Sequence, residues 1–518
     1  MGEKCDPGLV GARSLNYGVP QAINRLLTSQ PMRVRIPHRA DAGAGTPRKA
    51  STVRQHHRLI TTKTVFVLGA LGALLFGYDN GIVAAAILFV PDELPLSPTV
   101  EGLVVSSGVI GAMVGSISSG PLADKIGRQR MLLAAAVVFL IGAAGAGAAP
   151  TAEVLVASRL VLGLGIGISS VVVPLYLAEM APASRRGIAT SMNQYLIVVG
   201  TGVAGGVGFV LSFSGSWRWM LLIGVFPALV LLLGMLFMPD TPRSLTRRGY
   251  PERAHDVLRT IRNDPAEADA EYAEISAVAA KDMEDRSDKG PDGTGSGKAS
   301  GRWSEGWVAK LLVIGVLLAV FQQVTGINAV VYYSPSVLTD LGLTPTQSLL
   351  FSFLNGMLNI ATIAVVVHMK IVDRRGRKPL LLTGVAGLIV STAAIGLVTI
   401  FGEPGSVVQV VVTILAFVLF TNVFSATWGP VLWVILAEIF PLRIRGFAMG
   451  IATLFNWLAA FAVSQSFPVL QSHVGAGPIM LAFAVIGVVI VPIVMRWVPE
   501  TKDRSLEELE VDFRLGKS

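Results

Sequence analysis

The chain has 518 residues, of which 52% are hydrophobic and only 15% are charged. A water-soluble fold cannot bury that much apolar surface, so the composition excludes an ordinary soluble protein and predicts one that lies largely in a lipid bilayer. The single cysteine, Cys5, excludes an internal disulfide. The net charge of +8 is accounted for by membrane topology, so no nucleic-acid partner is expected.

In chain order, residues 1–62 are predicted to form a disordered basic cytoplasmic tail, because basic residues alternate there with proline and glycine. Residues 63–239 and residues 308–498 are each predicted to form a bundle of six transmembrane helices. Residues 240–307 are expected to be a cytoplasmic helical loop with a flexible linker, and residues 499–518 a cytoplasmic tail. The twelve predicted spans are residues 65–90, 102–122, 131–149, 154–174, 188–211, 219–238, 308–334, 347–368, 380–401, 407–437, 447–470 and 478–497.

The distribution of charge predicts the orientation of the spans. The turns after the second, fourth, eighth and tenth spans are basic and include Arg128, Arg186, Arg377 and Arg445, whereas the opposite turns are nearly free of basic residues. Basic residues beside spans are retained on the cytoplasmic side. Both termini are therefore predicted to be cytoplasmic, in a multi-pass protein of the cell (plasma) membrane.

Three motifs occur twice, separated by about half the chain. GPLADKIGRQR at residues 120–130 returns as MKIVDRRGRKP at 369–379, LAEMAPASRRG at 177–187 returns as LAEIFPLRIRG at 436–446, and PDTPR at 239–243 returns as PETKD at 499–503. Such an internal repeat predicts two structurally related halves. Two similar membrane halves that face each other are typical of alternating-access transporters.

Two charged residues lie inside predicted spans. At 1.5 Å per residue, Asp79 in the first span and Arg159 in the fourth both lie about 21 Å from the cytoplasmic side, so they are predicted at one depth. A charge there costs about 2.5–3.5 kcal/mol, and it indicates function with a nearby partner. We expect Asp79 to bind a proton, which would weaken its hold on Arg159 and shift a conformational equilibrium. A purely structural ion pair is the alternative.

The seventh span carries an unusual density of polar residues, interrupted by Val324, Thr325 and Gly326. A kink or unwound turn at Gly326 is predicted to let the polar groups on both sides of it reach one cavity. Amides and aromatic rings suit a neutral polyhydroxylated ligand. Any one of these polar residues alone would rather indicate interhelical hydrogen bonding, but the cluster favours a binding site. The predicted binding residues of this span are Gln322, Gln323, Asn328, Tyr332 and Tyr333.

Residues 64–510 resemble the sugar porters of the major facilitator superfamily. The motifs that carry this resemblance include GYD at 77–79, SRLVLGLGIG at 158–167, PLYLAE at 174–179, QQVTGIN at 322–328, VDRRGR at 372–377 and GPVLWVILAEIFP at 429–441. The resemblance implies an all-α membrane protein in which twelve transmembrane helices form two pseudo-symmetric six-helix bundles, the major facilitator fold. In such proteins an acid at the position of Asp79 marks proton symporters, whereas uniporters usually carry an amide there.

The resemblance adds four sugar-contacting positions, which are Gln194, Asn359, Trp433 and Asn456. Asn359 lies two residues farther from Asp373 than the family pattern has it. The resemblance also implies cytoplasmic ion pairs that act as latches, holding the outward-facing state and breaking for inward opening, with ordinary topology-fixing charge as the alternative. The latch residues are Asp124, Arg128, Glu179 and Arg186 in the first half and Asp373, Arg377, Glu438 and Arg445 in the second.

The sequence carries no Walker loop and no metal-ligand spacing of cysteine or histidine, so neither an enzyme nor a cofactor or metal is expected. The predicted function is gradient-driven import of a small neutral monosaccharide or related polyol by proton symport. A facilitative sugar uniporter is the alternative mechanism, and a transporter-like sugar sensor is an alternative of another class. Because one chain contains both halves, a working monomer in the lipid bilayer is expected.

Overall fold

A computed structural model describes residues 62–182, 186–262, 264–287, 306–369, 371–441 and 444–502. The predicted basic tail, the flexible part of the central linker and the end of the carboxyl-terminal tail lie outside these residues. All regular secondary structure in the described ranges is helical. The helices are α1 (Thr62–Ala86), α2 (Val90–Glu93), α3 (Pro98–Ile126), α4 (Arg128–Gly147), α5 (Ala152–Met180), α6 (Arg186–Ser212), α7 (Trp217–Leu222), α8 (Val225–Phe237), α9 (Pro242–Arg247), α10 (Pro251–Ile261), α11 (Pro265–Ser287), α12 (Gly306–Val324), α13 (Ile327–Asp340), α14 (Pro345–His368), α15 (Ile371–Arg375), α16 (Arg377–Phe401), α17 (Val407–Ala426), α18 (Trp428–Ile439), α19 (Arg445–Val474) and α20 (Ala476–Trp497).

Within the described residues, twelve helical segments are long and apolar enough to cross a membrane, six before the charged helices α9–α11 and six after them. The predicted number of spans is therefore confirmed. Three of the spans are built from two helices each, namely α7 with α8, α12 with α13 and α17 with α18. In the loop expected to be helical within residues 240–307, residues 251–287 form two helices, because the chain leaves the helical conformation at Arg262 and a new helix begins at Pro265.

Helix starts differ between the two ends of the structure. We call the end that carries Gly127, Gly376 and α9–α11 the basic end, and the opposite end the far end. Four of the helices that begin at the far end start with a hydroxyl side chain that accepts a backbone N–H, which satisfies a donor that the helix itself leaves free. These N-cap residues are Ser97, Thr151, Thr344 and Ser406. Helices α7 and α20 begin at this end without a side-chain cap.

At the basic end, α4 and α16 begin after glycines with positive φ, 104° at Gly127 and 88° at Gly376. An L side chain rarely adopts this conformation, so glycine is required at both turns. A Cβ at Gly376 would also lie 2.8 Å from the carboxylate of Glu500. The glycine of the repeated motif thus lets an acidic side chain approach the start of the following helix.

Hydrogen bonds join the two halves near the far end. Ser106 on α3 donates to Gln465 on α19 at 2.7 Å, and the Gln465 amide donates to the carbonyl of Thr99 at 3.1 Å. Ser212, at the end of α6, donates to Thr346 at the start of α14 at 3.2 Å. Helices α3 and α19, and likewise α6 and α14, therefore meet closely at the boundary between the halves.

Candidate functional site

Asp79 and Arg159 form a buried ion pair between α1 and α5. The Arg159 Nη1 atom contacts Asp79 Oδ1, and the two side chains are 2% and 3% exposed, respectively. Arg159 Nε also donates to the carbonyl of Val104 on α3 at 3.2 Å. A Cβ at Gly108 would lie 3.0 Å from the guanidinium, so the absence of a side chain there makes room for Arg159. The structure brings the two charges together as the sequence suggests, while proton binding stays a prediction.

The seventh span is interrupted at Gly326, where the sequence predicts a break. Gly326 has φ +92° and separates α12 from α13. A Cβ at this glycine would lie 2.6 Å from the ring of Phe483, so both conformation and packing favour glycine. Because of this interruption, the side chains of α12 and α13 do not follow the period of one continuous helix.

Four amide side chains from two spans converge beside this break; we call Gln322, Gln323, Asn328 and Asn456 the amide network. Gln323 Nε2 donates to Asn456 Oδ1 at 3.0 Å, and Asn328 Nδ2 donates to Gln323 Oε1 at 2.9 Å. Asn456 Nδ2 donates to Gln322 Oε1 at 3.0 Å. Gln322 and Asn456 are 4% and 5% exposed. Four predicted binding residues therefore lie in one hydrogen-bonded group.

The two tyrosines of α13 point in different directions, because successive residues on a helix are about 100° apart. Tyr332 donates to Asn80 Oδ1 on α1 at 3.0 Å. Tyr333 instead donates to the carbonyl of Ser464 at 3.0 Å and stacks on Phe467, with ring centroids 4.9 Å apart. Tyr333 is thus packed against α19, and the structure does not bring it to the amide network.

The three other family-derived positions lie outside the hydrogen bonds of the network. Gln194 on α6 is half-buried, and Trp433 on α18 is half-buried against the core of the second half. Asn359 on α14 is half-buried, and its Oδ1 is a buried acceptor without a hydrogen-bond partner. A buried acceptor of this kind is costly unless a donor reaches it. The structure leaves the roles of these three residues as predictions.

The tenth span is interrupted as well, and this break was not predicted from the sequence. Thr427 has φ −128° and ψ −86° and separates α17 from α18. The carbonyl of Trp428, the next residue, accepts a hydrogen bond from Gln322 Nε2 at 3.0 Å, and the Trp428 indole donates to the carbonyl of Leu381 at 3.0 Å. The GP pair after Trp428 is the only local sequence signal for this break.

A second polar cluster, also missed, joins α14 to α17. Thr421 Oγ1 and Asn422 Nδ2 donate to Asn355 Oδ1 at 3.1 and 3.3 Å. Thr362 donates to Asn422 Oδ1 at 2.7 Å. Thr362 lies seven residues after Asn355, so the two side chains lie on one face of α14. This spacing was the signal available in the sequence.

At the basic end of the first half, the predicted ion pairs form within that half. Arg128 contacts Asp124 at 2.7 Å and lies 3.2 Å from Glu179 Oε2, and Asp124 also pairs with Arg247 at 3.0 Å. Thr241 donates to Glu179. The structure does not describe the side chain of Arg186.

The second half repeats this arrangement. Arg377 binds Glu438 at 2.8 Å, and Thr501 donates to Glu438. Arg445 instead donates through Nε to the carbonyl of Phe440 at 3.2 Å, so the predicted acidic partner is replaced by a backbone oxygen. The structure does not describe the side chain of Asp373.

The third repeated motif, PDTPR at 239–243 and PETKD at 499–503, adds one acid to the ion pairs at the basic end of each half. This role was not predicted from the sequence. Asp240 Oδ1 accepts the backbone N–H of Arg128 at 2.9 Å, and Glu500 accepts the backbone N–H groups of Arg377 and Lys378 at 3.0 and 3.1 Å. Burial of Glu500 favours its neutral form, but these N–H donors outweigh it and lower the pKa of Glu500 below its ordinary value. Each acid therefore caps the first turn of the helix after the motif glycine.

Comparison with known proteins identifies the family. A family model described as "Sugar (and other) transporter" matches residues 65–513. The chain belongs to this family. Its fold is the twelve-helix major facilitator fold, and the protein is a multi-pass integral membrane transporter of the sugar porter type.

The relatives cover nearly all of the chain beyond its amino-terminal tail. The glucose transporter GlcP of Staphylococcus epidermidis is 40% identical over 454 residues, which is 87% of this chain and 97% of the relative. The galactose-proton symporter of Escherichia coli is 34% identical, over 88% of this chain and 95% of the relative. Among solved structures, the inward open conformation of the xylose transporter XylE from E. coli matches with a TM-score of 0.72 and 30% identity, over 87% of this chain and 99% of that one.

Proposed function

We propose that this protein imports a neutral monosaccharide or related polyol together with a proton, by alternating access. The observation that carries the proposal is the buried carboxylate of Asp79, which is paired with Arg159. The same structure holds a buried network of uncharged amides. The names of the relatives, which include a glucose transporter, a D-xylose transporter and a galactose-proton symporter, support the same substrate class.

The amide network suits a ligand that carries hydroxyl groups and no charge. An amide can both donate and accept, and each amide of the network is hydrogen-bonded to another amide, so a polyol would replace amide–amide hydrogen bonds by amide–hydroxyl bonds. Exchange of this kind keeps buried polar groups paired before and after binding. Asn359 Oδ1, a buried acceptor without a partner, would gain a donor from a sugar hydroxyl.

Proton binding would act through the ion pair. A carboxylate held by a guanidinium in a membrane interior is stabilised by that charge, and protonation removes the attraction. Helix α1, which carries Asp79, would then be released from Arg159 on α5, whose guanidinium also binds a carbonyl of α3. A change at one carboxyl group can in this way alter the packing of three helices in the first half.

We propose that the basic end faces the cytoplasm across the plasma membrane, because basic turns flank it. The hydrogen bonds between the halves near the far end then close the outer side, which is consistent with the likeness to the inward open conformation of XylE. The ion pairs Arg128–Glu179 and Arg377–Glu438 are formed in this state. Because each lies inside one half, we propose that they keep each half rigid during rocking.

Purified protein in vesicles with an imposed inward proton gradient tests the proposal. Symport predicts sugar accumulation above equilibrium and sugar-driven proton entry, and Asp79→Asn should abolish both while sparing sugar counterflow. A uniporter would equilibrate sugar without proton movement, and a sensor would bind sugar with little flux. Accumulation by Asp79→Asn equal to that of the unsubstituted protein would contradict the proton role.

A further inference from the structure

Four consecutive residues of α1 each contact a different helix. Tyr78 donates to the carbonyl of Met220 on α7 at 2.7 Å, Asp79 pairs with Arg159 on α5, and Asn80 accepts from Tyr332 on α13. Gly81 packs against α6, where a Cβ would lie 2.7 Å from that of Ala204. This single turn therefore connects the buried acid to three helices of its own half and to one helix of the other half.

The hydrogen bond from Tyr332 to Asn80 crosses between the halves next to the ion pair. Its length is 3.0 Å, and Tyr332 is only 5% exposed. The crossing bonds made by Ser106 and Ser212 start from other helices of the first half, α3 and α6. Asn80 is thus a site at which the helix of Asp79 is hydrogen-bonded to the second half.

On the other side of this bond, Tyr332 belongs to the helix that starts at the break of the seventh span. Asn328 lies four residues earlier on the same face of α13 and donates to Gln323 across the break. Gln323 in turn binds Asn456. A displacement of α13 at Tyr332 is therefore passed to the amide network through one rigid helical turn.

We propose that the Asn80–Tyr332 hydrogen bond couples the protonation state of Asp79 to the geometry of the amide network. Asn80 is a positioning residue in this scheme, and the inference rests on the proton symport proposed above. When Asp79 is released from Arg159, the α1 turn shifts and Asn80 shifts with it. Protein hydrogen bonds have donor–acceptor distances up to about 3.2 Å, and a pair separated by about 3.6 Å is no longer hydrogen-bonded, so a small shift of α1 suffices to free or hold α13.

Asn80→Ala tests this coupling, because it removes the acceptor without touching Asp79. In vesicles, we expect the ratio of protons to sugars to fall and steady-state accumulation to decrease about fivefold, the factor that corresponds to one hydrogen bond of about 1 kcal/mol. The KM for sugar counterflow should change less than about twofold, because counterflow needs no net proton movement. An unchanged proton-to-sugar ratio in a variant that still performs counterflow would overturn the inference.

Thr201→Val is the matched control. Thr201 on α6 donates to the carbonyl of Gly77 at 3.1 Å, so this substitution also removes a hydrogen bond to the same turn of α1, but one that stays inside the first half. Its proton-to-sugar ratio should equal that of the unsubstituted protein. An equal loss of coupling in Thr201→Val would assign the effect to general loosening of α1 and overturn the role of Asn80.

Tyr332→Phe removes the donor of the same bond while it keeps the ring, and it provides the measurement if Asn80→Ala does not fold. The double variant Asn80→Ala/Tyr332→Phe should have the same proton-to-sugar ratio as either single variant, whereas additive losses would show that the two residues act separately. Asp79→Asn, measured in parallel, separates the two proposals. Accumulation retained by Asp79→Asn refutes the proton role of Asp79 proposed above, whereas its loss combined with normal coupling in Asn80→Ala refutes only the present inference.

Discussion

Asp240 caps a helix that begins 112 residues earlier in the chain, since its Oδ1 accepts the backbone N–H of Arg128 at 2.9 Å. The same carboxylate accepts from Ser244 at 3.0 Å and from Arg248 at 2.9 Å. The start of α4, the end of the sixth span and the charged helices of the central loop are thereby held at one point. Glu500 does the same for α16 in the second half.

We expect Asp240→Ala and Glu500→Ala each to destabilise the protein by about 1–2 kcal/mol, because each removes a helix cap and leaves N–H donors unpaired. Thermal unfolding in detergent measures the change. Glu403→Ala is the control, since Glu403 is an exposed acid in a far-end turn. Equal midpoints for all three variants would show that the caps contribute nothing to stability.

The cap at Glu500 predicts a dependence of stability on pH. Because the folded-state pKa of Glu500 is lower than its unfolded-state value, its stabilising contribution is complete above the unfolded-state pKa and is lost as the pH falls through the folded-state pKa. Between about pH 6 and about pH 3, the unsubstituted protein should therefore lose more stability than Glu500→Gln. Parallel slopes for the two proteins, measured by thermal unfolding across this range, would contradict the assignment.

Gly326→Ala should impair both folding and uptake. The left-handed conformation costs a residue with a Cβ about 1–2 kcal/mol, and the added atom meets the ring of Phe483. Gly342→Ala is a matched control, because Gly342 has φ +96° but open space around a Cβ. Both variants should lose stability, but only Gly326→Ala should also lose sugar affinity, measured by binding of a labelled sugar. A similar loss of affinity in both variants would show that the break at Gly326 is not part of the binding site.

Asn456→Ala should weaken sugar binding by about tenfold or more, because the carbonyl of Ala319 and the side chains of Gln322 and Gln323 each lose a partner. Asn422→Ala removes an asparagine that also bonds across two spans, in the α14–α17 cluster, and it should leave affinity nearly unchanged. Equilibrium binding of radiolabelled monosaccharides and cyclitols to both variants measures this difference and also identifies the substrate. Equal affinities would place the ligand elsewhere.

Gln465→Leu should open the far end, because it removes the hydrogen bonds that join α19 to Ser106 and to the Thr99 carbonyl. Two such bonds of about 1 kcal/mol each shift the ratio of closed to open states by roughly tenfold or more. Spin labels at Pro95→Cys and Val474→Cys, in a Cys5→Ser background, report the separation of the halves.

Gln471→Leu is the control for this experiment. Gln471 also lies on α19, but it donates to Asp340 within the second half at 2.7 Å. The distance distribution of Gln471→Leu should match that of the unsubstituted protein, whereas Gln465→Leu should populate longer distances. Identical distributions for the two would mean that Gln465 does not hold the far end closed.

Local patterns in the sequence were sufficient for the number of spans, the division into two halves and the break at Gly326. Hydrophobic length, internal repetition and a glycine among polar residues are properties of neighbouring positions, so they can be read without knowing the packing. The common depth of Asp79 and Arg159 also followed from counting residues along helices of constant rise. The structure agrees on the twelve apolar spans and on the break at Gly326, and it places the side chains of Asp79 and Arg159 in contact.

Contacts between distant segments were decided only by the tertiary structure. The sequence could not show that Tyr332 reaches Asn80 whereas Tyr333 packs on Phe467, because both are aromatic residues in one polar stretch and only the position of neighbouring helices separates them. Nor could it show that Asp240 and Glu500 cap helices far away in the chain. Hydrophobicity and helical period determine which segments cross the membrane, but the partner of each polar side chain depends on how those segments pack in three dimensions.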